Sequence, residues 1–144
     1  MNDIMNLSFR YKKVTDRIQR PIIPLQFNLK DGTPITVAGL LDSGSDVILM
    51  PKDVAESLGL QMGKKTHEID GVGGKVGVVK SAVRVRLDDG KRVYRIPHPL
   101  EVSVQLSGNV FDDILIGRFP FFDEFVIEFN EGAKRVRLTP SHRH

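Results

Sequence analysis

The stretch that most constrains this chain is Leu40-Leu41-Asp42-Ser43-Gly44-Ser45-Asp46, followed at once by apolar Val47-Ile48-Leu49. An ionised carboxylate between two hydrophobic runs is costly to bury unless it is hydrogen-bonded or has a chemical role. Ser43 can supply a hydroxyl, and Gly44 permits close backbone approach and unusual dihedral angles. One apolar strand is therefore expected to deliver Asp42 to a turn at the mouth of a core. The second apolar run carries the chain back inside. Asp-Ser-Gly alone is ordinary turn chemistry, so its meaning depends on its surroundings.

The chain has 144 residues, which suits one domain with a sizeable core. It contains no cysteine, which excludes disulfides, thiolate chemistry and a Cys-based zinc site. Residues 1–20 carry Asp3, Arg10, Lys12, Lys13, Asp16, Arg17 and Arg20, and no apolar block long enough for a signal peptide or membrane span. The expectation is a soluble, cytoplasmic protein with no membrane partner. Formal net charge is +3, and Lys and Arg are spread along the chain. A concentrated basic face interleaved with aromatics, as a nucleic-acid binder would carry, is not evident. No nucleic-acid partner is expected.

Period-2 alternation dominates the middle of the chain. Ile23, Leu25, Phe27 and Leu29 alternate with Pro24, Gln26 and Asn28, a half-buried strand. Lys30-Asp31-Gly32-Thr33 is a hairpin turn, and Ile35 to Leu41 is the returning strand. Pro51–Leu58 reads as the single helix, with Pro51 at its first position, Val54 and Leu58 on one face and Gly59 as C-cap. Strands follow at Thr66 to Ile69, Val76 to Leu87, Val93 to Ile96 and Leu100 to Leu106. Ile114-Leu115-Ile116-Gly117 is a buried run, and Phe125–Phe129 with Arg135–Leu138 forms a final hairpin. Residues 1–20 lack clean periodicity and are taken as an arm or peripheral strand, 21–140 as the domain, and 141–144 as a tail. One short helix among many short strands predicts a small all-β barrel or sandwich-like fold.

Other chemistries fail on spacing. A phosphate-binding P-loop ending at Gly74-Lys75 would need Gly at Ile69 and Ser or Thr at Val76. The dinucleotide pattern starting at Gly71 would need Gly at that same Val76. His67, His98, His142 and His144 show no metal-binding spacing, although the last two could take up metal adventitiously. Ser43 lies in no Gly-x-Ser-x-Gly elbow. Gly71, Gly73 and Gly74 are left as the tip of a hairpin, either a loose turn or a lid over a cleft.

Three features then stand in order: Leu41-Asp42-Ser43-Gly44-Ser45-Asp46, the hairpin Gly71-Val72-Gly73-Gly74, and Ile114-Leu115-Ile116-Gly117-Arg118. Together they resemble the retropepsin-like aspartic proteases, the single-lobe family of the retroviral proteases and their microbial relatives. The resemblance spans roughly Pro21 to Thr139, and the early helix matches the microbial members better than the viral ones. Two departures are Ser43 where Thr is commoner and a segment around Arg92–Leu106 longer than in compact viral relatives.

The resemblance implies an all-β, small closed acid-protease-type barrel with one short helix, a single lobe forming a symmetric homodimer. It implies an aspartic endopeptidase acting on an extended peptide or protein, with Asp42 as the catalytic acid/base and Ser43 and Gly44 supporting the loop. Gly71, Val72, Gly73 and Gly74 would form a flap over substrate. Asp46 would lie beside the substrate and pair with Arg118, while Gly117 packs beneath the loop. The chain has one Asp-Ser-Gly, so the second carboxylate would come from a partner. Two carboxylates about 3 Å apart cannot both ionise, and aspartic proteases are the type case of this shared proton. No metal or organic cofactor is required. A catalytically inactive dimerisation or peptide-binding module of the same fold is the alternative.

Overall fold

The computed structural model describes residues 5–71, 74–106 and 113–141. Strand β1 (Leu7–Arg10) and the small pair β2 (Lys12–Lys13) and β3 (Gln19–Arg20) lead into the long hairpin β4 (Ile22–Asn28) and β5 (Pro34–Leu41). After β6 (Ile48–Met50) comes α1 (Lys52–Leu58), then β7 (Thr66–Gly71) and β8 (Gly74–Val83). The chain continues through β9 (Arg86–Asp88), β10 (Val93–Arg95), β11 (Leu100–Gln105) and β12 (Ile114–Ile116). It ends with α2 (Phe121–Glu124) and the hairpin β13 (Phe125–Asn130) and β14 (Arg135–Pro140).

The local signals explain the first hairpin. Thr33 donates its amide to the Asp31 carboxylate at 2.9 Å, Leu29 donates to the Thr33 carbonyl at 2.8 Å, and Gly32 takes φ +89°. Alternation then sorts the faces: Ile23, Leu25 and Phe27 are buried, and Gln26 points outward. Helix α1 begins one residue later than expected, with Pro51 as its N-cap residue. It ends on Gly59 at φ 67°, ψ 33°, with Leu60 donating to the Ala55 carbonyl in a Schellman-type closure.

Nine strands form one sheet in the order β10-β9-β4-β5-β12-β6-β11-β8-β7, and three form a second, β1-β14-β13. The expected closed barrel is not what forms. The large sheet has free edges at β10 and β7, so it is open. Strand β10 is three residues long and Pro97, which lacks an amide proton, follows shortly after it; such an edge is poorly suited to closure. Among the described residues the fold also has two short helices rather than one. Helix α2 is anchored by buried Phe121, whose ring lies 5.0 Å, centroid to centroid, from that of buried Phe125, the first residue of β13.

Two further expectations are refined. The continuous strand Val76 to Leu87 divides at Arg84-Val85: β8 pairs with β7 and β11, whereas β9 pairs with β4 and β10. The N-terminal segment carries a strand of the core. β1 pairs antiparallel with β14, placing Ser8 opposite Arg137, and Leu7, Phe9 and Tyr11 are buried. Those three residues do alternate in the sequence.

A carboxylate pins β1 to the large sheet. Asp89, in the β9–β10 turn, accepts the Ser8 amide at 3.0 Å and the Lys91 and Arg92 amides at 2.9 and 2.8 Å. Burial alone would push its pKa up, but these amide hydrogen bonds, from Ser8, Lys91 and Arg92, together hold it below the usual value. The folded-state value thus lies below the unfolded one. The resulting stabilisation is present above the ordinary carboxylate range and is lost as pH falls through the folded value. Asp89→Ala is expected to cost about 1–3 kcal/mol at neutral pH by leaving the Ser8 amide unpaired. Thermal unfolding of wild type and variant should show this gap narrowing on acidification; a gap independent of pH would contradict the assignment.

Candidate active site

Strand β5 runs parallel to β12, with Leu40 opposite Leu115 and Leu41 opposite Ile116. Immediately beyond this register, the Asp42 amide donates to the Ile116 carbonyl at 2.9 Å. Asp42 is therefore placed by the end of a central strand pair. Leu41 and Ile116 are buried beneath it, whereas Asp42 is half-buried and Ser43 and Gly44 are exposed. The carboxylate stands at the mouth of the core, as its apolar flanks require.

The loop is organised by its own backbone. Gly44 donates its amide to Asp42 Oδ1 at 2.9 Å, and Ser45 donates to the Asp42 carbonyl at 3.2 Å. The first bond engages one carboxylate oxygen and sets the plane of the group. A side chain at position 44 would come within 3.2 Å of that same oxygen. The Ser43 hydroxyl makes no hydrogen bond among the described residues and is open to solvent.

The chain from β12 locks this loop from below. Gly117 donates to the Val47 carbonyl at 3.0 Å, Arg118 to the Ser45 carbonyl at 2.8 Å and Phe119 to the Asp46 carbonyl at 2.9 Å. A Cβ on Gly117 would collide with the Val47 carbonyl oxygen, and would lie 2.7 Å from both the Ser45 oxygen and the Val47 nitrogen. No side chain fits there. Gly117 packs against the Ser45–Val47 segment of the Asp42 loop.

Asp46 and Arg118 are joined differently from the expected side-chain pair. Both side chains are exposed, and among the described residues no ion pair links them. Their segments are held instead by the backbone bonds of Arg118 and Phe119. The carbonyls of Ser45, Asp46, Val47 and Ile116 carry this arrangement. A residue pattern does not reveal them, because every residue has a carbonyl.

Gly71 pairs with Gly74 at the end of the β7–β8 hairpin, and Gly74 takes φ +134°. Val72 and Gly73 lie outside the described residues. β7 is an edge strand, so the hairpin has a free side. Among the described residues no hydrogen bond joins it to the Asp42 loop. Of the histidines, His67 sits in β7 opposite Val78, and His98 Nε2 meets Glu124 Oε1 at 2.9 Å. His142 and His144 lie outside the described residues.

A half-buried aspartate at a strand end, looped by Ser-Gly and underpinned by a glycine after an apolar strand, defines an aspartic-protease lobe of the retropepsin-like type. The chain belongs to the aspartyl protease family, whose model matches residues 24–118. No curated protein sequence matches the chain. Among solved structures, it resembles a retropepsin-like aspartic protease from Rickettsia conorii, at 13% identity and a TM-score of 0.60. That match covers 96% of this chain and 92% of the other. It also resembles a retroviral protease-like domain from Leishmania major at 17% identity and a TM-score of 0.58, covering 86% of this chain and 94% of that one.

Gly117→Ala is expected to destabilise the protein by about 3 kcal/mol, because backbone rather than a movable side chain occupies the added methyl's place. Urea unfolding midpoints of the two proteins measure it. A variant as stable as wild type would show that the loop is not held by this contact.

Proposed function

We propose that the protein is an aspartic endopeptidase whose site is completed by a second copy of the chain. The observation that carries this reading is the geometry of Asp42: presented at the core mouth, oriented by the Gly44 amide, and occurring in the chain's single Asp-Ser-Gly. Hydrolysis by this chemistry needs two carboxylates holding one proton between them. The ionised member takes a proton from water, and the protonated member polarises the scissile carbonyl. A two-fold axis beside Asp42 supplies the second member, and the free Ser43 hydroxyl is available to hydrogen-bond across that axis.

The surface supports such an assembly. Phe119, adjoining the Asp42 loop through the Asp46 carbonyl, is 51% exposed. On β13, an edge strand of the three-stranded sheet, Val126 is 57% and Phe129 42% exposed. Large apolar side chains near an unpaired strand edge are an aggregation hazard unless a partner covers them. In this reading the β7–β8 hairpin closes over an extended peptide and excludes water. In the same reading Asp46, which is exposed, meets the substrate backbone.

Subunit mixing tests the shared site. Wild type co-refolded with a large excess of Asp42→Asn chains places nearly every wild-type subunit in a mixed dimer. Cleavage of a peptide library per wild-type chain should collapse as the mutant is added. Constant activity, with exchange into mixed dimers verified, would mean that each chain holds a complete site. Full activity of pure Asp42→Asn would end the protease reading.

A pH profile tests the shared proton independently. Activity should fall as pH rises past the point where both carboxylates ionise. A flat profile from acid to alkaline pH, with folding verified by circular dichroism, would contradict it.

A further inference from the structure

Outside the Asp42 loop, the sheet assembles an arginine site that the sequence keeps apart. Thr36 on β5 lies opposite Gln26 on β4, Gln26 opposite Arg86 on β9, and Arg86 opposite Arg95 on β10. Directly opposed residues project from the same face, so these four form one row across four strands. The other face of these strands carries the buried Leu25, Phe27 and Leu87. The row lines a surface cavity of about 570 Å³, bordered by Ile35 and Val93. A neighbouring cavity shares Gln26, Arg86 and Arg95 and adds Arg84.

The electrostatics of this row are unbalanced. Like charges directly opposite one another on a sheet are destabilising. Among the described residues no carboxylate lies within 4.0 Å of Arg84, Arg86 or Arg95 to form an ion pair. The acid in the cavity wall, Asp88, accepts the Gly90 amide at 2.8 Å instead. Arg86 is also oriented. Its Nε donates to Gln26 Oε1 at 2.6 Å, which fixes the guanidinium plane and leaves its Nη groups for an external acceptor. A planar fork held in this way suits two-point binding of an oxyanion.

We infer that the Thr36–Gln26–Arg86–Arg95 row is a binding site for an acidic segment of a polypeptide, with a carboxylate seated between Arg86 and Arg95. The borders favour a peptide over a nucleic acid. Val93, 51% exposed and on the same face of β10 as Arg95, would meet an apolar neighbour of the acidic residue. The one aromatic ring in the lining, Phe27, is buried and offers no stacking surface. This site does not include Asp42, and its occupancy stands or falls independently of proteolysis.

The probe is a short fluorescein-labelled peptide alternating Glu and Val, compared with its Gln/Val counterpart. Both are titrated by fluorescence anisotropy into Asp42→Asn protein, so that cleavage does not intrude. The acidic peptide should bind saturably and at least about tenfold tighter than the neutral one, with affinity falling as salt rises. Arg86→Gln combined with Arg95→Gln should lose that preference. Circular dichroism checks that this double variant is folded. Arg95→Gln alone, on an exposed edge strand, should weaken binding by several-fold and provides the same test if the double variant folds poorly. Equal affinity for the two peptides, or undiminished binding by the arginine variants, would overturn the inference. So would tighter binding of a single-stranded oligonucleotide than of the acidic peptide at matched salt.

Discussion

The structure depends on one close backbone approach, that of Gly117 to the Ser45–Val47 segment. Three successive amides, of Gly117, Arg118 and Phe119, donate to the carbonyls of Val47, Ser45 and Asp46. The strand leading into this contact, β12, is parallel to β5 on one side and antiparallel to β6 on the other. The chain therefore leaves the sheet at Asp42 and re-enters it at Ile48 on opposite sides of the same strand. The loop between them spans the end of β12 and is clamped to the residues that follow it. Without a Cβ at 117 the two backbones come within hydrogen-bonding distance; with one they cannot.

This clamp gives the Asp42 loop its chemical character. Ordinary turns are mobile because water satisfies their amides and carbonyls as well as protein does. Here the loop's carbonyls are taken up by backbone amides, and its carboxylate is oriented by the Gly44 amide. The carboxylate remains partly exposed, so it is held in place without the full cost of burying a charge.

The edges show where the fold remains open to other molecules. β7, β10, β1 and β13 terminate the two larger sheets. β13 carries apolar side chains, β7 belongs to the glycine-tipped hairpin, and β10 carries the opposed arginine. β1 is tied down by Asp89.

Local chemistry made much of this legible in the sequence. The Asp31-Gly32 turn, the alternation of Ile23, Leu25 and Phe27, and the Gly59 cap act over a few residues, and so did the placement of Asp42 between two apolar runs. Leu7, Phe9 and Tyr11 carried the same period-2 signal in a segment whose charges obscured it. The break at Arg84-Val85 was not legible, because Val83, Val85 and Leu87 keep alternating inward while the chain changes partners. Periodicity reports which face is buried and says nothing about which strand lies alongside. By itself the sequence determined the local turns, the inward-facing residues and the single Asp-Ser-Gly. Only the tertiary structure decided that the sheet stays open, that Gly117 abuts Val47, that Asp46 and Arg118 are linked through backbone, and that Arg86 faces Arg95. Those outcomes depend on register between segments far apart in the chain, and register is set by packing the whole core at once.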